Sequence, residues 1–216
     1  MILVSAVVKN KGGNLSVSLK QKYDLILARE RALANSVARS VVAPRPFGVW
    51  DFMIPVIFIL NFMKSKQIRE LFIQNYIFTK QLALQAAFDI VKKELSREEV
   101  LARIESKTGE ILASEAREIY SNEIRREQLK EIDLLIDHYR KLLESDGDDY
   151  TSFVASGYQN GHSYTIFLEQ LLAAEKKVSA AAQQTLGNKA DTAALSRIEA
   201  ATARLRMAEV EKIFGT

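Results

Sequence analysis

Two histidines, no cysteine and 27 acidic side chains set the chemistry open to this chain of 216 residues. Without Cys there is no disulfide, no thiolate nucleophile and no sulfur ligand for zinc or an iron–sulfur cluster. A di-iron helical bundle needs Glu and His three residues apart, so that both project from one helical face. His138 and His162 have Leu135 and Gln159 at that spacing, so neither completes the pair. His138 follows Asp137 on a highly charged stretch, and a solvated or helix-capping role is expected for it. The run Asp146-Gly147-Asp148-Asp149 begins like a calcium loop. Its sixth position is Thr151 where Gly is required, and its twelfth is Gly157 where a bidentate Glu is required. No Gly-x-x-x-x-Gly-Lys, Gly-x-Gly-x-x-Gly or Gly-x-Ser-x-Gly occurs. These residues point to no catalytic set, no metal and no cofactor.

The most site-like local cluster is Tyr150–Tyr164, which gathers three Tyr, an Asn, a His and two Gly around a helix break. If a polar ligand binds here, Tyr158, Asn160, His162 and Tyr164 are the residues to hold it, since they bring donors and acceptors together. The simpler reading is an Asn-Gly turn whose tyrosines pin two helix ends to a bundle. The carboxylates between Glu98 and Asp149 alternate with bases, as in Glu127–Lys130 and Asp137–Lys141. That pattern reads as a solvated helix face.

A second candidate is an apolar run. Val49 to Met63 is apolar around the whole helical wheel, broken only by Asp51 and Asn61. Asp51 suits an N-cap, with Pro55 close behind it. A membrane-spanning helix needs about 20 apolar residues. Phe47 to Met63 is 17 residues with Asp51 inside, and bases stand on both sides: Arg39 and Arg45 before it, Lys64, Lys66 and Arg69 after it. A span usually shows a one-sided bias, whereas two basic flanks suit a segment dipping into one anionic leaflet. Phe47, Trp50, Phe52, Ile57 and Phe58, with Arg45, Lys64 and Lys66, are therefore the expected membrane or partner contacts. The other reading is burial, in the bundle itself or in an oligomer interface.

The elements that would position these groups are helical. From Val17 to about Val42 apolar residues recur every three or four positions, with Ser16 or Ser18 as cap. The sequence Ala43-Pro44-Arg45-Pro46-Phe47-Gly48 ends that helix. Residues 64–95 continue in helical register behind the apolar run. Ser96-Arg97-Glu98-Glu99 is a capping box for a helix ending near Gly109, and another is expected from Glu110 to about Ser145. A short helix at Tyr150–Gly157, one from Ser163 to about Thr185, and one capped by Asp191 and running to Phe214 complete the chain. The last two read as an antiparallel hairpin.

The expected fold is all-α: a multi-helix bundle with long helices and a C-terminal helical hairpin. Residues 1–216 read as one helical domain. Its sub-parts are a basic N-terminal helix (1–43), the apolar central and charged helices (44–149) and the hairpin (150–216). Met1 to Val8 is apolar but lacks a preceding base and a cleavage site, so it reads as a strand-like or frayed tail rather than a signal peptide, and the expected location is cytoplasmic. The net charge of +3 divides unevenly, +8 over residues 1–95 and −5 over 96–216. The halves either cancel against each other or offer a basic surface to an anionic partner. Lys9, Lys11, Lys20, Lys22, Arg29, Arg31 and Arg39 lack a helix-turn-helix pattern or an aromatic stacking platform, which disfavours nucleic acid.

The function class expected from all this is a non-enzymatic interaction or scaffold protein. It would self-associate or bind a protein partner, or rest on an anionic membrane surface through residues 47–63. The alternative is a helical protein holding a small apolar or amphipathic ligand near the Tyr-rich break. An enzyme lacking a familiar motif is the third class.

Overall fold

The computed structural model describes residues 17–41, 65–113, 120–187 and 192–215. The expectations for the amino-terminal tail, the 47–63 segment with Arg45 and Lys64, the side chain of Lys66 and the Asp191 cap lie outside the described residues. Among those described there are seven helices and no strand: α1 Leu19–Val41, α2 Ser65–Val91, α3 Arg97–Ala113, α4 Asn122–Glu144, α5 Tyr150–Tyr158, α6 Gly161–Leu186 and α7 Thr192–Phe214.

Local chemistry sets most of these boundaries. Ser18 starts α1 by accepting from Gln21 N, while Gln21 Oε1 accepts from Ser18 N (2.8 Å). The Ser96–Glu99 capping box forms as expected, with Ser96 N donating to Glu99 Oε2 (2.7 Å) and Glu99 N donating to Ser96 Oγ (3.2 Å). Asp149 and Ser152 make a second box at the start of α5. Gln159, at φ 64°, closes α5 in the left-handed region, and Asn160 then caps α6 by accepting from Ser163 N (2.8 Å).

Two boundaries differ from expectation. Gly109 does not end a helix: α3 runs through it to Ala113, and α4 begins only at Asn122, where Ser121 Oγ accepts from Ile124 N (3.3 Å). Gly inside a helix costs only about 1 kcal/mol, which packing overrides. α2 stops at Val91 rather than 95, because Lys93 turns left-handed at φ 60°.

The helices run alternately along the bundle, except that α2 and α4 are parallel neighbours. Ile26 shares the main core with Leu84 and Ala87, while Val41 shares a second core with Phe72 and Ile73, so α1 and α2 are antiparallel. Gln128 Nε2 donates to Thr79 Oγ1 (2.9 Å) at one level, and Tyr139 and Leu142 share the main core with Ala87 further along, so α2 and α4 point the same way. Ser121 Oγ meets Thr185 Oγ1 (2.7 Å) and His138 stacks on Phe167 further along, which makes α6 antiparallel to α4. α6 and α7 form the C-terminal hairpin, held by Glu175–Arg206 near the middle and by Gly161 against Phe214 at the end. A Cβ on Gly161 would stand 3.2 Å from the Phe214 Cβ, so this close approach depends on the missing side chain.

All the described connections (92–96, 145–149 and 159–160) therefore lie at one end of the bundle. The helix ends that flank 42–64, 114–119 and 188–191 lie at the other.

Candidate functional site

The densest chemistry lies inside the bundle. Five ionisable side chains from five helices meet there: Glu30 (α1), Lys80 (α2), Glu131 (α4) and Arg206 (α7) are buried, and Glu175 (α6) is half-buried between them. Arg206 forks onto Glu175 with two bonds of 2.7 and 2.8 Å, and Lys80 Nζ donates to the same carboxylate at 3.3 Å while lying 4.5 Å from the centre of the Tyr76 ring. Tyr76 Oη reaches Thr202 Oγ1 (3.2 Å). Side chains of Lys80 and Arg206 retain only 5% and 6% exposure, so these ions have exchanged water for one another. Burial alone would raise the Glu175 pKa, but Arg206 and Lys80 outweigh it and hold it down at about 2. Burial would likewise lower Lys80, and Glu175 keeps the ammonium charged instead.

The two remaining carboxyls are poorer in partners. Burial raises Glu131 to about 7 despite the attraction of Lys80, because Glu175 is close by with the same sign. Burial raises Glu30 as well; Tyr139 Oη donates to its Oε1 (2.8 Å), and its buried Oε2 has no hydrogen-bond partner among the described residues.

Towards the α5 end the polar groups are aromatic. His138 Nδ1 and Tyr158 Oη share a hydrogen bond of 2.7 Å, and the imidazole stacks on Phe167 at 4.2 Å between centroids. Burial, with Arg206 and Lys141 nearby, drives the His138 pKa down to about 3, so the ring is neutral. The expectation of a solvated or capping histidine is thus corrected: His138 is 4% exposed and faces the core. Tyr164 Oη donates to Glu209 Oε1 (2.6 Å), Tyr150 Oη reaches the same oxygen (3.3 Å), and Arg29 pairs with the other. Burial raises the pKa of all three tyrosines, Tyr150, Tyr158 and Tyr164, and keeps them as phenols.

The four residues proposed from the sequence part company here. Tyr158 and Tyr164 lie inside the bundle, their rings 4.9 Å apart, while Asn160 caps α6 and His162 is exposed. The cavity beside Tyr164 measures about 20 Å³. The acids on α4 divide too. Glu127 pairs with Lys130 (2.7 Å), but Asp137 pairs with Arg97 of α3 rather than Lys141, and both Glu127 and Glu131 are buried rather than on a solvated face.

None of these five ionisable groups was singled out by sequence, although a signal existed. Each stands on the apolar stripe of its own helix: Glu30 with Ile26, Leu33 and Val37; Lys80 with Ile73, Ile77 and Leu84; Glu131 with Ile124, Leu135 and His138. Glu175 keeps register with Leu168, Leu171 and Val178, and Arg206 with Ile198, Thr202 and Val210. A charge in phase with a buried face is the pattern to look for.

The imidazole is too weak a base near neutral pH, the phenols are protonated and the lysine is locked as a cation. Among the described residues no three His, Asp or Glu side chains gather as a metal would require, and no helix is long and apolar enough to cross a membrane. No protein family, curated protein or solved structure matches this chain.

Proposed function

We propose that this protein is a non-enzymatic helical scaffold that rests on an anionic membrane surface, at the cytoplasmic face, through its 47–63 segment. The observation that carries the reading is where the neighbouring helices end. Val41, the last residue of α1, packs in one core with Phe72 and Ile73 near the start of α2. The 23 residues between Val41 and Ser65 therefore leave and rejoin the bundle on the same side. A single crossing of roughly 30 Å of hydrocarbon would place those two helix ends on opposite sides, whereas a segment that dips and returns would not. Arg39, exposed in the last turn of α1, adds a base beside that exit. The interior network supports the scaffold half of the proposal, since Arg206 and Lys80 are tied to Glu175 across three helices and His138 is tied to Tyr158.

Vesicle sedimentation of the full chain tests this. The protein should pellet with vesicles containing phosphatidylglycerol, stay in solution with phosphatidylcholine alone, and detach as salt rises. Ile57→Lys should abolish pelleting while the helical circular dichroism and its thermal melt remain. A protein that ignores both vesicle types at low salt overturns the membrane reading. If native mass spectrometry then finds a stable dimer, the apolar run serves self-association.

A further inference from the structure

We propose that the core of the bundle contains a built hydration site, in which one water molecule bridges Glu30 Oε2 to the Arg206 guanidinium. The water would join the ionic and aromatic halves of the network into one. Three observations converge on it. The Glu30 side chain is buried and its Oε2 lacks a protein partner among the described residues, a condition that destabilises the fold unless something relieves it. Glu30 and Arg206 both line the same cavity, which also touches His138, Tyr150, Tyr164 and Glu209. The cavity measures about 20 Å³, above the roughly 10–15 Å³ that a single water needs and far below the size of an organic ligand.

The hydrogen-bond inventory fits a water better than an ion. A guanidinium has five N–H donors, and two of those on Arg206 go to Glu175. A water can accept from one of the remainder and donate to Glu30 Oε2, and its second hydrogen can reach a tyrosyl or glutamyl oxygen on the cavity wall. An anion such as chloride would suit Arg29 and Arg206 but would face the carboxyl groups of Glu30 and Glu209. A bare cation would face the two arginines. Water alone both gives and accepts, as this mixed wall demands.

A crystal structure of the full chain should show one density peak within hydrogen-bonding distance of Glu30 Oε2, and a bromide-soaked crystal should show no anomalous peak there. Water-proton relaxation dispersion should then count one long-lived water fewer in Glu30→Met than in the native protein, and the native number in Glu30→Gln. An empty cavity, a bromide peak, or an unchanged water count in Glu30→Met would overturn the proposal. Should Glu30→Met fail to fold, the native crystals and their bromide soak decide the matter on their own.

Discussion

The bundle buries polar groups in two neighbouring regions and treats them in opposite ways. Around Glu175 the groups stay ionised, because Arg206 and Lys80 converge on one carboxylate with bonds of 2.7, 2.8 and 3.3 Å. Around His138 they are neutral, since imidazole and phenols have shed charge and stack at 4.2 to 6.4 Å between centroids. Desolvation penalises charge in both places, so partner supply makes the difference. Where a second and third helix bring opposite charges the ions persist, and where they bring rings the titratable groups become neutral. Removing one partner should therefore be costly in the first region and modest in the second.

The largest effect is expected for Arg206→Met. It strips the Glu175 carboxylate of its two-bond partner and leaves Lys80, at 3.3 Å, to offset it, and breaking a buried pair this way costs about 3–5 kcal/mol. Urea unfolding followed by circular dichroism measures it. Replacing all three ions together, as Lys80→Met, Glu175→Leu and Arg206→Met, should recover much of that loss, because the trio then strands no charge and burial already favours the protonated forms of Glu30 and Glu131. A triple variant less stable than Arg206→Met would show that the cluster contributes net attraction, and the contrast between the two regions would have to be redrawn.

The next effect is pH-dependent and has opposite signs in the two regions. Glu131 titrates at about 7 in the fold against 4.5 ordinarily, so between those values the native state holds the proton more tightly than the unfolded chain. Its contribution to stability falls as pH rises through that window. His138 titrates at about 3 against 6.5, so the unfolded chain takes up a proton the native ring refuses. Its contribution falls as pH drops from 6.5 towards 3. Across pH 4.5 to 6.5 the two oppose each other. Glu131→Gln removes the first, and acidification should then cost stability more steeply, by on the order of 1–3 kcal/mol over the window. Unchanged urea midpoints across that range would mean that Glu131 does not hold a proton in the native state.

How much of this was legible in the sequence follows from what each feature depends on. Ser96, Glu99 and Asn160 act within a few residues of themselves, and the capping box and turn were readable from neighbours alone. The helical class and the C-terminal hairpin needed only periodicity and the Gly-Asn break. Burial of Glu131 was not readable in that way, because the acids of α4 look alike until the helix is rotated against α2 and α6. Asp137 shows the same limit from outside, since its partner Arg97 is 40 residues away. Lys141, the partner expected from spacing, instead lies over the Tyr158 ring at 4.4 Å.

In the neutral region a smaller loss is expected. Tyr158→Phe keeps the ring and its stacking but takes the hydroxyl from His138 Nδ1, at a cost of about 1–2 kcal/mol. A loss as large as that of Arg206→Met would mean that the His138–Tyr158 pair is not the lesser contact the comparison makes it.

The smallest effects separate the two members of the Tyr-rich break that stayed at the surface. Asn160→Ala removes the side-chain acceptor for Ser163 N and should cost about 1 kcal/mol, while Asn160→Asp should keep most of that stability. His162 is exposed, and His162→Ala should change stability by less than about 0.5 kcal/mol. The order matters more than the values. Inside the break a hydroxyl serves a buried imidazole, at its edge an amide serves one backbone N–H, and outside it a ring meets solvent. If His162→Ala proved as costly as Asn160→Ala, the exposed ring would have to be meeting something besides water, and the outer face of the break would become the place to look for a partner.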